Sequence, residues 1–366
     1  MTFILALALA ALGCGSNSVV PNTPAPQTRS YTGSASVGDF FNITIDPAAQ
    51  TMTYSDISNN MSGTVAYTTN ANGTYTLTDP TGNLVAAYEI PNYAVLIQAT
   101  MTGPGKNTLA LVTAVQTSQV AAATFANQKY NYMQFRTSQG GVSIGAATMD
   151  AQTNVTTSSY WPFGEQNQQG AFNSSSFSSA GFQEDASGTF IEMPSADGPP
   201  SYVFGTPNGI FAVDNPNGTI FGLRQATSKA FDPASAATYT AMYYHKANAT
   251  VGAGSNTETG TPSVGMASLV IDAAGDVTVT NSATGSIMAQ GTLAAVADTP
   301  YLYAAGGGEL ANPCFGLFTF RVTTPTTQQD VFVTFLNNAV LFSSYKSLPS
   351  VSGQNYYNYF YGVALK

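Results

Sequence analysis

Charged residues are scarce in this chain of 366 residues, because Lys, Arg, Asp and Glu together make up only 8% of it. Ordinary soluble domains carry about a quarter. The net charge is −9, and the ten Lys and Arg residues form no basic run. A nucleic acid needs a clustered basic surface on its partner, and so does an anionic membrane surface. The composition therefore argues against nucleic-acid binding and against electrostatic docking on lipid.

Histidine and cysteine are almost absent, which removes most catalytic and metal-binding chemistry. The chain has one histidine, His245, and two cysteines, Cys14 and Cys314. A Ser-His-Asp site needs a histidine beside an activated serine, and zinc sites draw on several Cys or His ligands. His245 stands among tyrosines, so we interpret it as an ordinary strand residue. Residues 70–73 and 272–276 lack the alternating carboxylates of calcium loops. The sequence therefore predicts neither a metal nor a cofactor.

Neutral polar residues, glycine and aromatic residues take the place of charge, with 20 Tyr and 21 Phe among them. Such residues suit half-buried strands, whereas helices favour Lys, Glu and Ala. After the N-terminal segment, no stretch shows a long helical period. Short strand-like runs are separated by turn signals such as Asn72-Gly73, which is typical of a hairpin. The sequence therefore predicts an all-β fold of roughly two dozen strands.

Three aromatic segments occur at a spacing of roughly 110 residues. They cover residues 130–135, 239–244 and 356–361, and each follows a similar approach of small polar residues. Gly-Thr strand starts recur in the same order between them. We therefore predict three tandem meander units of about 110 residues each, over residues 30–136, 137–246 and 247–366.

Evenly spaced strands must hide their edges, either by closing into barrels or by repeating around an axis. Three units of about eight strands each would together form six four-stranded blades. We therefore predict one β-propeller-like body for residues 30–366, in which residues 356–365 pair near Tyr31 to close the ring. Three separate β-barrel or sandwich domains are the alternative. The short join at residues 137–141 favours one compact body.

The first fourteen residues have the layout of an export signal. Residues 3–12 form an apolar run that is too short for a membrane-spanning helix of about 20 residues and is typical of a signal-peptide core. The run leads into Leu12-Gly13-Cys14, and with Ala11 this motif resembles the lipobox of bacterial lipoproteins. The resemblance implies that residues 1–13 are removed and that Cys14 is acylated. Residues 14–29 then form a Pro-rich, flexible tether.

The residue after the cysteine bears on the destination of the protein. The residue at position 15 is glycine, whereas an aspartate there would resemble an inner-membrane retention signal. The resemblance therefore implies an exported protein that is held by a lipid anchor at the outer membrane or cell surface. A cleaved secretory signal with an incidental cysteine is the alternative.

Acidic residues offer one catalytic option, because a glycosidase needs only two carboxylates at a suitable separation. Glu165 and Glu184 lie near Tyr160 and Trp161 in the long irregular stretch of the second unit. Aromatic rings with nearby carboxylates are typical of sugar-binding clefts. Glu165 and Glu184 are therefore the candidate catalytic residues, and Tyr160 and Trp161 the candidate ligand-binding residues. A long loop around a buried tryptophan is the plainer interpretation.

Three arginines and the second cysteine invite functional interpretations that we do not favour. Arg136, Arg224 and Arg321 occur once per unit but not at matching positions, so we interpret them as structural rather than as an anion-binding cluster. A nucleophilic Cys314 would need a base, and His245 is the one histidine of the chain. We predict a buried structural thiol.

Three functions remain open. The thin catalytic inventory and the Tyr-rich, neutral surface favour a membrane-anchored, non-catalytic binding or scaffolding protein. Such a surface can bind carbohydrate, peptide or a surface protein by stacking and neutral hydrogen bonds. A carbohydrate-active hydrolase with a carboxylate pair near Trp161 is the first alternative. A subunit of a cell-surface assembly is the second.

Overall fold

The computed structural model describes residues 27–78, 82–103, 106–135, 142–150, 155–160, 172–177, 183–193, 198–216, 218–251, 258–296, 314–324, 327–351 and 354–366. These residues form 26 β-strands, one short helix, Ala122–Phe125 (α1), and one 3-10 turn, Pro233–Ser235. The strands pair into three antiparallel sheets that follow one another along the chain. The all-β prediction is thereby confirmed.

The first sheet is a closed barrel. Each strand pairs with the next, and the first strand pairs back to the last, so that no edge stays open. The predicted hairpin at Asn72-Gly73 joins the fourth strand to the fifth, and Gly73 has the positive φ that the turn requires. The strands are β1 (Arg29–Ala35), β2 (Asp39–Asp46), β3 (Thr51–Asp56), β4 (Met61–Thr69), β5 (Thr74–Thr78), β6 (Leu84–Ile90), β7 (Ala94–Gly103) and β8 (Lys106–Gln116).

The second sheet has nine strands, and again its first strand pairs with its last. Among the described residues this sheet stays open. Its two edge strands are the fourth and the fifth of the nine in chain order. The strands are β9 (Lys129–Phe135), β10 (Val142–Met149), β11 (Val155–Tyr160), β12 (Phe172–Phe177), β13 (Gln183–Glu184), β14 (Ile191–Met193), β15 (Ser201–Thr206), β16 (Ile210–Asn215) and β17 (Gly218–Arg224).

The third sheet repeats this connectivity but comes closer to closure. Its edge strands are separated by Leu293 alone, and a Cβ added to Gly291 on one side of the seam would lie 3.1 Å from the ring of Phe320 on the other. The strands are β18 (Ala237–Val251), β19 (Glu258–Ile271), β20 (Asp276–Asn281), β21 (Ile287–Thr292), β22 (Ala294–Ala295), β23 (Leu317–Thr324), β24 (Thr327–Leu336), β25 (Ala339–Val351) and β26 (Gln354–Leu365).

These sheets are not the four-stranded blades of the predicted propeller. Eight or nine strands join one ladder in each sheet, whereas a propeller blade typically holds about four. The last strand, β26, pairs with β18 and β25 rather than with β1, so the predicted ring closure near Tyr31 is wrong. The barrel alternative describes the first sheet. Barrels and blades are built from the same short hairpins, and local sequence signals therefore cannot separate them.

The aromatic segments also take places that differ from the predicted unit ends. Strand β9, which holds the first segment, pairs with β10 and β17 and so begins the second sheet. Strand β18 begins the third sheet in the same way, and β26 ends it.

The three sheets pack around one shared core, to which Phe40, Met133 and Phe332 contribute from the first, second and third sheet respectively. Two aromatic stacks cross between sheets: Phe40 lies on Tyr202, and Phe135 lies on Tyr361, each with ring centroids 4.6 Å apart. The first sheet in addition has an interior core of its own. The described residues therefore form one body.

Candidate functional site

The predicted carbohydrate site lies largely outside the described residues. Trp161 and Glu165 belong to the part that is not described, as do Cys14 and the tether up to residue 26. Tyr160 ends β11, where its backbone pairs with Ile144 and Phe172. Glu184 lies in β13 and is exposed. The carboxylate pair near Trp161 therefore stays a prediction.

Two of the three arginines that occur once per unit, Arg224 and Arg321, are described, and they make local contacts. Arg224 donates from Nη2 to the carbonyl oxygen of Pro207 at 3.1 Å. Arg321 forms an exposed ion pair with Asp330, with Nε and Oδ1 2.7 Å apart. Arg136 lies outside the described residues. Cys314 is buried, and burial raises the pKa of its thiol well above the ordinary value. A nucleophilic cysteine needs a lowered pKa, so this environment suits a structural thiol.

A ligand-sized cavity lies inside the third sheet. It has a volume of about 290 Å³, and β18–β21 line one side while β23–β26 line the other. We call it the third-sheet chamber. Side chains alternate between the two faces of a strand, so that Ala241 and Tyr243 point into the chamber while Met242 and Tyr244 pack in the shared core.

Small residues at neighbouring positions explain why the chamber is not filled. Ala241 on β18 pairs directly with Ala267 on β19, and both line the chamber. Two residues along each strand, Tyr243 pairs with Gly265. A Cβ at this position would collide with the hydroxyl oxygen of Tyr243, so the position must be glycine for the tyrosine ring to lie over it. Small barrels are normally filled by alternating large and small side chains. Two small side chains, Ala241 and Ala267, lie side by side on one wall and leave space over them here.

The chamber has a polar end and an apolar end. His245 pairs with Ser263 across β18 and β19, and Gln329 also lines the chamber. Leu269 and Val279, which pair with each other on β19 and β20, lie toward the opposite end. Burial lowers the pKa of His245, so that its imidazole is neutral around neutral pH. Among the described lining residues there is no Lys, Arg, Asp or Glu.

The first barrel holds a smaller cavity, of about 100 Å³, lined mainly by apolar residues such as Ile43 and Met52. An engineered apolar cavity of about 150 Å³ accommodates benzene. The first barrel therefore has room for less than a benzene ring, while the third-sheet chamber has room for more. Of these two cavities, volume favours the third-sheet chamber as the binding site.

A buried charged cluster lies in the first barrel. Arg29 donates to both carboxylate oxygens of Glu89, from Nε at 2.6 Å and from Nη2 at 2.7 Å. The hydroxyls of Tyr31 and Tyr75 donate to the same carboxylate. Burial alone would raise the pKa of Glu89, but these hydrogen bonds outweigh it and the pKa lies below its ordinary value. This cluster is not predicted from the sequence, because its only local signal is one Glu in a strand of otherwise uncharged residues.

The described ranges contain neither a metal-binding cluster nor a membrane-spanning helix. No three His, Cys, Asp or Glu side chains there group closely enough to hold a metal ion. No helix within those ranges is long and apolar enough to cross a membrane.

Fold and chamber together define a class: an all-β protein of three meander sheets with an apolar chamber in one of them. No protein-family model matches the chain, and no curated protein matches it. Among solved structures, a double mutant of Transferrin Binding Protein B from Haemophilus parasuis Hp5 aligns over 93% of this chain and 77% of that one, at 8% identity and a TM-score of 0.31.

Two further structures align in the same way. A single mutant of the same Haemophilus parasuis protein aligns over 93% of this chain and 77% of that chain, with 8% identity and a TM-score of 0.23. Intact Ap-TbpB, with its N and C lobes, aligns over 94% and 78% respectively, with 10% identity and a TM-score of 0.23. Similarities at this level carry no argument about fold or function.

Proposed function

We propose that the protein is an exported, lipid-anchored, non-catalytic binding protein whose ligand occupies the third-sheet chamber. The observation that carries the proposal is the chamber itself, with its volume of about 290 Å³ and its largely apolar lining. Small-molecule sites are typically concave and apolar, with a few polar groups that fix the orientation of the ligand. His245, Ser263 and Gln329 are such groups.

The chemistry of the chamber supports binding rather than turnover. A histidine that acts as a general base is usually oriented by a carboxylate or another acceptor. Among the described lining residues no carboxylate stands beside His245. The candidate hydrolytic residue Glu184 is exposed on β13 of another sheet. No observation in the described part of the chain favours the hydrolase over the binding protein.

Filling the chamber tests the proposal. We expect 1-naphthylamine, an uncharged fluorophore, to bind the purified full chain saturably at one site. In Ala267→Phe the new ring occupies the chamber, so the dissociation constant should rise at least ~10-fold. Val270→Phe is the matched control, because Val270 lies on the same strand but is 40% exposed. This variant should bind 1-naphthylamine with the same affinity as the wild type.

All three proteins are measured by fluorescence titration in the same detergent. The fluorophore then partitions into micelles to the same extent in each sample, and differences in the dissociation constant come from the protein. Unfolding curves check that each variant is folded. Equal affinity in Ala267→Phe and wild type, or the absence of saturable binding, would refute the chamber as the site.

The anchor has a separate test. The lipobox motif at Ala11-Leu12-Gly13-Cys14 supports acylation of Cys14. We expect mass spectrometry of the protein from bacterial membranes to find a mature N-terminus at Cys14 that carries acyl chains, and a Cys14→Ala variant to lack them. An unmodified Cys14 in the mature protein contradicts the anchor and leaves the chamber proposal standing.

A further inference from the structure

We infer that the third-sheet chamber selects an uncharged ligand: an apolar molecule with one neutral hydrogen-bonding group, such as a medium-chain alcohol, held with that group beside His245, Ser263 and Gln329. The inference rests on the proposed function, and it adds the chemical class of the ligand. Three features of the chamber carry it: the order of its polar and apolar residues, the absence of charge from its described lining, and its size.

Strand register places the polar residues together. Val331 on β24 pairs with Ser344, which pairs with Phe360, which pairs with His245, so that these residues share one level of the sheet. Ser263 is at the same level, because it pairs with His245. Gln329 lies two residues from Val331 on β24.

The apolar residues lie at the other end of the same strands. Tyr243 lies between the two ends, two residues before His245 on β18, and its hydroxyl is hydrogen-bonded to Asn281. Ala241 lies two residues before Tyr243, where it pairs with Ala267. Leu269, two residues further along β19, pairs with Val279. A ligand therefore meets hydrogen-bonding groups at one end and hydrocarbon at the other, which fixes the direction of an amphiphilic molecule.

The described lining offers no partner for a charged ligand. Burial of an ion without a counterion is costly, and a fatty-acid carboxylate would need a cation. Lys246 is adjacent to His245 in sequence, and by strand alternation it lies on the opposite face of β18. Arg321 alternates in the same way with the lining residues Phe320 and Val322, and it is paired with Asp330.

The polar end itself is neutral. Burial lowers the pKa of His245, and a neutral imidazole has one donor and one acceptor nitrogen. Gln329 can likewise donate and accept, and so can Ser263, an exposed residue whose hydroxyl lies 3.5 Å from the carbonyl oxygen of His245. An alcohol or a carbonyl matches these groups, whereas a carboxylate or an ammonium ion would lose part of its water shell and gain no counterion among the described lining residues.

The volume limits the size of the ligand. A cavity of about 150 Å³ takes benzene, with its six heavy atoms. The chamber, at about 290 Å³, therefore suits a molecule of roughly ten to twelve heavy atoms by the same ratio. Octanol, octanoate and octylamine fall near this size and differ in the charge of one end, so they form a matched series.

Displacement of 1-naphthylamine from the full chain tests the inference. The measurement is made near pH 8, where His245 is neutral. Octanol should displace the fluorophore at a concentration at least ~10-fold lower than the concentration of octanoate or octylamine that is needed. Equal or better displacement by octanoate would overturn the inference, although the chamber would still be a binding site. If 1-naphthylamine itself does not bind, the proposed function fails as well.

A charge-introducing variant separates recognition by the chamber from simple partition. In Gln329→Lys the new ammonium group lies at the polar end, so octanoate should gain at least ~10-fold relative to octanol. Partition into detergent is the same for both proteins and cancels in this ratio. An unchanged ratio in a folded Gln329→Lys variant would overturn the placement of the ligand head group beside these residues.

Discussion

Replacing Glu89 by alanine is expected to lower the free energy of unfolding of the first barrel by about 3–5 kcal/mol. The side chain of Glu89 is fully buried and that of Arg29 is 12% exposed, so the substitution leaves a guanidinium charge inside the protein without its counterion. It also removes the acceptor of the Tyr31 and Tyr75 hydroxyls. Removing one partner of a buried pair costs far more than the pair contributes when it is intact.

Chemical denaturation followed by circular dichroism measures this loss. The matched control is Asp330→Ala, which removes the carboxylate of the exposed Arg321–Asp330 pair, where the side chains are 58% and 30% exposed. Exposed pairs typically contribute less than about 1 kcal/mol. A similar loss in both variants would contradict the assignment of Glu89 as the buried centre of the cluster.

The same cluster predicts how acid affects stability. The pKa of Glu89 lies below its ordinary value of 4.5 in the folded protein, so the folded state binds this proton less readily than the unfolded chain does. The stabilisation is therefore fully present above pH 4.5 and is lost as the pH falls through the folded pKa. Consequently, the difference in stability between wild type and Glu89→Gln should shrink on acidification below that pH.

Local signals in the sequence were sufficient for the strands and turns. Neutral polar and aromatic composition gave the all-β class, and the turn at residues 272–276 joins β19 to β20 as expected. These features depend on neighbours within a few residues, such as a glycine at positive φ. Pairing between distant strands has no such signal. Arg29 and Glu89 are 60 residues apart in the chain, and their contact follows from the closure of the barrel.

The aromatic segments show how a correct observation led to a wrong architecture. They lie in β9, β18 and β26, and these strands are buried on both faces. In β18, for example, Tyr239 and Ala241 pack inside the third sheet, while Met242 and Tyr244 pack in the shared core. Apolar residues at both alternating positions indicate such burial. The segments therefore mark the strands at the centre of the molecule rather than the ends of three equivalent units.

The chamber was beyond sequence reasoning for a related reason. Ala241 and Ala267 are ordinary alanines in their own strands. The space over them exists because register makes two small side chains direct neighbours on the same face. His245, which we interpret as an ordinary strand residue, does lie on a strand, and only the curvature that brings the two halves of the third sheet face to face places it at a cavity. The candidate residues Trp161 and Glu165 lie outside the described ranges and remain sequence predictions.

Replacing Phe40 by alanine is expected to separate the first barrel from the rest of the molecule. Phe40 is fully buried, and its ring contacts three rings of the second sheet: Tyr202 in a stack at 4.6 Å, Phe190 edge-on at 5.0 Å, and Phe204 at 5.4 Å. Truncation of a buried Phe to Ala costs about 3–5 kcal/mol. Tyr202 and Phe204 lie in β15 and Phe190 directly precedes β14, so these contacts cross from the first barrel to the second sheet and the loss falls on the interface.

Limited proteolysis distinguishes loss of this interface from general destabilisation. The first barrel keeps its own core, which includes Tyr31, Ile43 and Leu77 but not Phe40. We therefore expect Phe40→Ala to be cleaved in the join at residues 117–128 faster than wild type, and to release the first barrel as a protease-resistant fragment. Phe315→Ala, at a side chain that is 39% exposed, is the control and should be cleaved at the wild-type rate. Degradation of the first barrel together with the rest would mean that the three sheets unfold as one cooperative unit, because the shared core rather than the core of each sheet holds the structure together.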